Sequence, residues 1–300
     1  MRFSFWVGNS HPWPFTLDAC RHAEASGWDG IYIADHFMPN APAPDGAVHE
    51  AWTMLAALAA AVPRVRLGPL VAGNTYRNPA LVAKIVATLD HVSGGRAVLG
   101  LGAGWQVNEH EAYGFELGTV RSRLDRLEEA CAIVSSLLTA ERTTFEGAYY
   151  RVADAPLTPR PVQAKIPLLV GGGGEKRTLR LAARYADEWN IWGTPELLAQ
   201  KQQVLDRWCE AEGRDPGAIQ RSAVALLYLS ADQELLAKLR GRQVERPRII
   251  GDVDEVRHII GAYQAAGVHE IVIPDFSFRS AEERDDTLDQ FITEAAAEFR

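Results

Sequence analysis

Residues 166–186 read IPLLVGGGGEKRTLRLAARYA, and this stretch decides the fold. After Pro167, the run Leu168, Leu169, Val170 has the short apolar pattern of a strand buried on both faces, and four glycines follow at 171–174. From Glu175 the period changes, and Leu179, Ala182, Ala183 and Ala186 share one face of an amphipathic helix. Strand, glycine turn and helix start therefore lie within a few residues. Such a junction aims unpaired N–H groups and the positive end of a helix dipole at one spot, where glycine admits a bulky anion, so the expected guest is a phosphate. Two familiar phosphate signatures are absent: no Gly-Lys-Ser/Thr completes a P-loop, and neither this run nor residues 100–105 supplies G-x-G-x-x-G.

Working outward, the same alternation fills the chain. Upstream, strands are expected at 2–8, 30–34, 65–72 and 97–101, with helices at 15–26, 50–61, 79–91 and 120–138 and a proline-rich loop at 40–46. The segment 143–161 breaks the rhythm: TTFEGAYYRV alternates about Gly147 like a hairpin, within an insertion at about 141–165. Downstream, strands are expected at 188–192, 222–229 and 270–274, and helices at 195–212, 254–266 and 281–299. The charged stretch 231–248 reads equally as helix or loop. Eight strands alternating with helices, without a Rossmann fingerprint, favour an α/β (β/α)8 TIM barrel over an open doubly wound sheet, as a single domain over residues 1–300.

Composition narrows the function. The 300 residues are 47% hydrophobic, enough for a large core, and a net charge of -8 argues against nucleic acid as partner. The N-terminus lacks a basic segment followed by a long apolar one, and no run approaches the roughly 18 apolar residues of a span, so a cytoplasmic protein without a membrane partner is expected. Cys20, Cys131 and Cys209 are few, odd in number and far apart, which predicts buried thiols and no disulfide or zinc framework.

In a barrel of this kind, chemistry gathers at the C-terminal ends of the strands. There His36 is the strongest acid/base candidate; Asp35 beside it either raises its basicity or caps the next helix, and adjacent strand residues point to opposite faces. No metal site is expected, because Ser10-His11-Pro12 is not a His-x-His pair, and no G-x-S-x-G marks a nucleophile. The stretch 102–109, GAGWQVNE, joins small residues that let a flat ring approach the backbone to an amide, Asn108, able to pair with a ring edge. Trp6, Trp105 and Trp192 stand near strand ends as candidate walls of the same cavity.

Asp35-His36-Phe37, LGPLVAGNTYRNPALVAK in the third strand, LGLGAGW with Asn108-Glu109 in the fourth, and LLVGGGGEKRTLRLAARYADEWN fall in one order. Together they resemble the bacterial-luciferase-like barrel family, specifically its F420-dependent oxidoreductases, from Arg2 to about Asp275. The resemblance implies a deazaflavin or flavin across the barrel mouth, with its phosphate at Gly172 and Gly173. It implies a ring seat on a non-proline cis peptide near Leu70, Val71 and Ala72, with Ala103, Gly104 and Asn108 beside the ring. It implies Asp35 and His36 at the reactive face, His36 giving or taking the proton that accompanies hydride transfer. In the sugar-phosphate dehydrogenase branch a catalytic glutamate stands where this chain has Trp105, and a phosphate-gripping lysine where it has Pro195. A less polar substrate lying against Trp105 and Trp192 is the implied alternative. The cofactor expected is coenzyme F420, with FMN and oxygen insertion as the alternative, and a non-catalytic flavin carrier as a further one. Family analogy implies a homodimer acting on a small molecule.

Overall fold

The structure, a computed structural model, describes residues 1–41 and 45–300; positions 42–44 of the proline-rich loop lie outside that description. From the N-terminus, β1 (Arg2–Trp6), α1 (Trp13–Ser26), β2 (Gly30–Ile33), α2 (Ala51–Ala61), β3 (Arg66–Pro69), β4 (Ala72–Gly73), α3 (Pro79–Ser93) and β5 (Leu99–Gly102) alternate as the sequence pattern requires. Local chemistry sets several boundaries. Asn78 caps α3 ahead of Pro79, and Gly94, at φ 68°, closes it in the left-handed conformation that glycine adopts without Cβ strain.

After β5 come the short α4 (Val107–Tyr113) and the long α5 (Val120–Thr139), the latter opened by a reciprocal capping box between Thr119 and Ser122. The antiparallel pair β6 (Arg142–Glu146) and β7 (Arg151–Pro156) forms the expected hairpin. Then follow β8 (Leu168–Gly171), α6 (Thr178–Tyr185), β9 (Glu188–Trp192), α7 (Pro195–Ala211), β10 (Gln220–Val224) and β11 (Leu226–Leu229). The chain ends with α8 (Gln233–Gly241), β12 (Arg248–Gly251), α9 (Val253–Ala265), β13 (Glu270–Pro274) and α10 (Ala281–Gln290).

The main sheet is parallel, in the order β3-β2-β1-β13-β10-β9-β8-β5-β4. Its two ends are consecutive in sequence. The third strand, expected as one piece over 65–72, is divided at a cis Leu70–Val71 peptide: β3 pairs with β2, while β4 pairs with β5 through Ala72↔Leu101 and Gly73↔Gly102. With the bridge Leu67↔Ala97 the barrel closes on eight staves, one of them made of β3 and β4 together.

Two further expectations are corrected. The strand foreseen over 222–229 divides at Ala225, and its second half leaves the barrel to pair with β12, which lies at the end of the charged stretch 231–248. Strand β12 shares only Arg248 with that stretch, and the two apolar residues that follow, Ile249 and Ile250, are too few to detect beside the charged neighbours. The last helix ends at Gln290 and widens into a π turn, Phe291–Ala295, where Phe291 seats edge-on against Phe3 and stacks on Trp28.

Most apolar side chains lie between strands and helices, as in Leu55, Leu99, Val134 and Ile271. A smaller cluster of Trp6, Tyr32, Leu70, Val98, Leu169, Val224 and Val272 fills the barrel interior. At the N-terminal ends of the staves, Arg66 pairs with Glu188 at 2.6 Å and Glu270 at 3.3 Å, and Arg2 reaches Glu270 at 3.2 Å, so two guanidiniums balance these two buried carboxylates. The three cysteines are buried and free. Among the described residues no helix is long and apolar enough to cross a membrane.

Candidate active site

Above the interior cluster the C-terminal ends of the staves open into a cavity of about 1490 Å³. His36, Leu70, Val71, Ala103, Gly104, Trp105, Gly172, Gly173 and Trp192 all line it, so the structure brings nine of the sequence-derived site residues to one mouth. Asp35 reaches the same wall. Ala72 and Asn108 do not. Ala72 is buried in β4, and Asn108 ties the start of α4 to the loop after β2: Nδ2 donates to Pro39 O at 3.0 Å, and Oδ1 accepts from the Glu109 N–H at 2.9 Å. Nearby, the Gln106 amide does line the cavity, its Nε2 donating to Met38 O at 2.9 Å, and Asn9, Asn40 and Asn190 line it as well.

The two residues expected to act together are held by different partners. Asp35 accepts both arms of the Arg77 guanidinium, at 2.7 and 3.1 Å, and the Gly73 N–H at 3.0 Å. Burial pushes its carboxyl up, and the Arg77 charge and these hydrogen bonds oppose that push. Arg77 also reaches Glu50 at 2.7 Å, so the Asp35 pair fastens the loop after β4 to the start of α2.

His36 turns instead to Glu109, Nδ1 lying 2.7 Å from Oε1. Glu109 is fully buried and also accepts the Phe37 N–H at 2.7 Å and the Tyr76 hydroxyl. Burial raises its carboxyl, but the bonds from His36, Phe37 and Tyr76 together outweigh that and hold it below its ordinary value. A carboxylate only accepts, so His36 Nδ1 is the donor in this assignment, which leaves Nε2 as the ring nitrogen for the cavity. The Trp105 ring meets the imidazole edge-on at 5.6 Å. Glu109 and Tyr76 carry roles that the sequence did not assign; the one available signal was an acid in the first turn of a short helix straight after a barrel strand.

The glycines divide into two sets. At Gly100, Gly102 and Gly171 an added Cβ would lie 3.0, 2.6 and 2.9 Å from the Val71 methyls. At Gly102 on β5 and Gly171 on β8 the Val71 knob occupies the space a side chain would need, whereas at Gly100, also on β5, the Pro69 carbonyl oxygen lies nearer still, at 2.2 Å. Gly172, at φ 121°, and Gly104, at φ 78°, supply backbone conformations that side chains resist, and a Cβ on Gly104 would also meet Thr75 Oγ1 at 2.5 Å. A Cβ on Gly173 would meet nothing nearer than Ile191 at 3.6 Å, so there the backbone is left open to the cavity. Lys201 also lines this side and pairs with Glu175 at 2.8 Å. Open glycine backbone and an ammonium form a donor set that fits a phosphate, and the wall of glycines around Val71 fits a flat ring.

From β9 round to β1 the lip is aromatic and basic. Trp6, Trp192 and Phe276 pack together, with the Arg246 guanidinium 4.8 Å from the Trp192 centroid and 5.2 Å from that of Phe276.

Residues 1–242 match the family described as luciferase-like monooxygenase. An F420-dependent glucose-6-phosphate dehydrogenase of Kineococcus radiotolerans is 36% identical over 219 residues, 72% of this chain and 64% of the relative. The chain thus spans less than two thirds of that relative's length. Among solved structures, the F420-dependent tetrahydromethanopterin reductase from Methanopyrus kandleri superposes at a TM-score of 0.85 with 18% identity, covering 100% of this chain and 99% of its own. The monooxygenase RslO1 from Streptomyces bottropensis superposes at 0.81 with 20% identity, covering both chains completely, at 100% each. At these identities the structural likenesses establish the barrel and nothing finer.

Proposed function

This chain belongs to the luciferase-like monooxygenase family, and on that premise we propose that it is an F420-dependent oxidoreductase acting on a small organic molecule. The observation that carries this reading is the meeting, in one cavity, of an oriented imidazole, a glycine wall that fits a flat ring and an open glycine turn that fits a phosphate. The F420-dependent dehydrogenases among its sequence relatives favour F420 over FMN as the cofactor.

Gly172, Gly173 and Lys201 would hold the phosphate, and Val71, Ala103 and Gly104 would seat the ring. Bound there, the deazaflavin supplies or accepts a hydride. Everything else belongs to this chain. His36 Nε2 takes a proton from a substrate hydroxyl, or returns it in the reverse direction, while Glu109 holds the ring orientation and stabilises the imidazolium that forms. Trp105, more than half exposed and edge-on to His36, and Trp192 give the substrate an apolar resting surface and help exclude water from the proton transfer. Asp35 acts at one remove, by fixing the loop that carries Tyr76. A cytoplasmic homodimer completes the reading, with size-exclusion chromatography as its check.

The test is a titration of intrinsic tryptophan fluorescence with F420 and, separately, with FMN. Saturable quenching by F420 with a weak response to FMN is the expected result. Preference for FMN would replace hydride transfer with oxygen chemistry, and response to neither would remove the cofactor reading.

A further inference from the structure

The geometry points to Tyr76 as a positioning residue that governs His36 without touching it, by competing for the same oxygen of Glu109. The inference gains its catalytic meaning from the role proposed for His36, but it rests on contacts that are present without any ligand.

His36 Nδ1 and the Tyr76 hydroxyl both converge on Glu109 Oε1, while the Phe37 N–H takes Oε2. One carboxylate oxygen divides its electron density between two donors, so a stronger bond from one weakens the other. Tyr76 keeps its proton, because burial and the bond to Glu109 both push its hydroxyl upward. It is therefore a permanent donor. Its ring is fixed independently of the hydroxyl: it stacks on His110 at 4.7 Å and meets Phe37 and Phe115 edge-on at 4.9 and 5.2 Å. His110 is itself engaged, Nε2 with Thr75 Oγ1 at 2.7 Å and Nδ1 with Gln106 O at 2.6 Å.

The other charged groups around this pair are Arg77 and Asp35, which satisfy one another, and Glu50 beyond them on Arg77. None of these donates to Glu109. Tyr76 is thus the side chain that sets how much of Oε1 remains for the imidazole, and hence how firmly the ring is held with Nε2 toward the cavity.

Tyr76→Phe isolates the effect, since the ring contacts remain and only the hydroxyl is lost. The readout is NMR of the cofactor-free protein labelled with 15N-histidine, the His36 Nδ1–H resonance being assigned by its loss in His36→Gln. Tyr76→Phe should move that resonance downfield, because Oε1 then serves His36 alone. Glu109 would also lose a stabilising donor, so the pH at which the resonance disappears on acidification should rise by about one unit, equivalent to about 1.4 kcal/mol. Global replacement of tyrosine by 3-fluorotyrosine, whose hydroxyl is the stronger donor, should move the resonance upfield, and this arm stands even if the phenylalanine variant folds poorly. An unchanged resonance in both arms would reduce Tyr76 to core packing. Neither arm depends on F420, so failure here and failure of the cofactor reading are separate outcomes.

Discussion

If the Val71 knob is the reason that Gly102 is glycine, the two positions must be coupled in stability. A Cβ on Gly102 would lie 2.6 Å from Val71 Cγ2, with only Val71 atoms within 4 Å of it. A normal carbon contact is about 3.5–4.0 Å, so roughly 1 Å of movement is needed. Val71 is β-branched and stiff at χ1, and its methyls already fill the spaces over Gly100 and Gly171. Gly102→Ala should therefore cost about 2 kcal/mol as overpacking. Val71→Ala, which removes two methyls from a half-buried residue, should cost about 1 kcal/mol. The double variant should cost about 1 kcal/mol as well, since the new methyl enters the space the old ones left; the coupling is then about 2 kcal/mol in its favour. Urea unfolding of all four proteins measures this, provided the dependence on urea stays constant across the set. Costs that add to within about 0.5 kcal/mol would refute the knob argument.

Four other outcomes follow from the same geometry. His36→Gln should lower turnover by about 10²–10⁴-fold while the F420 quenching midpoint stays within about twofold, which separates proton transfer from cofactor binding. Glu109 titrates below its ordinary value of 4.5, so its contribution to stability is complete above that value and is lost as pH falls through the lowered one. The stability gap between the protein and Glu109→Gln, followed by denaturant titration, should accordingly be constant at neutral pH and close in acid; a gap that widens in acid would contradict the assignment. Arg77→Ala leaves Asp35 buried with the Gly73 N–H as its remaining partner and should cost about 3–5 kcal/mol in the same assay. Gly173→Val should weaken F420 quenching at little cost in stability, because that Cβ position is open; equal loss of both would make Gly173 a packing glycine.

The fold was legible because its signals are local and repeated. Apolar runs ending in glycine, followed by helix-period segments, mark each unit, and the strands at 188–192 and 270–274 appear at those same residues. The family resemblance implied the cis peptide now found at Leu70–Val71, but the division of the strands was not legible in the residues: Leu70-Val71 and Ala225 read as parts of continuous apolar runs, and the division follows from which neighbour each half pairs with. For the site, residues at strand ends were found because barrel geometry brings such positions together. Glu109 and Tyr76 were not assigned, since their role exists only where the loop after β4 meets α4, 33 positions apart in sequence. Asn108 shows the opposite limit, an amide of suitable chemistry that bonds backbone instead of the cavity, donating to Pro39 O in the loop after β2 and accepting from the Glu109 N–H beside it. The glycines mix the two cases: Gly173 opens a surface, whereas Gly102 and Gly171 make room for a side chain from another strand.

The stave made of β3 and β4 also bears on self-association. An open sheet ends in rows of unpaired backbone groups that can recruit a strand from another molecule. Here the handover at Leu70–Val71 lets one short stretch serve both β2 and β5, so the main sheet presents no such row. The outlying hairpin β6–β7 does have edges, but they are short and carry Arg142, Glu146, Arg151 and Asp154, with Pro156 at the end. Charge and proline make those edges poor templates for strand addition, so accretion of copies by edge pairing is disfavoured at both places in the native state.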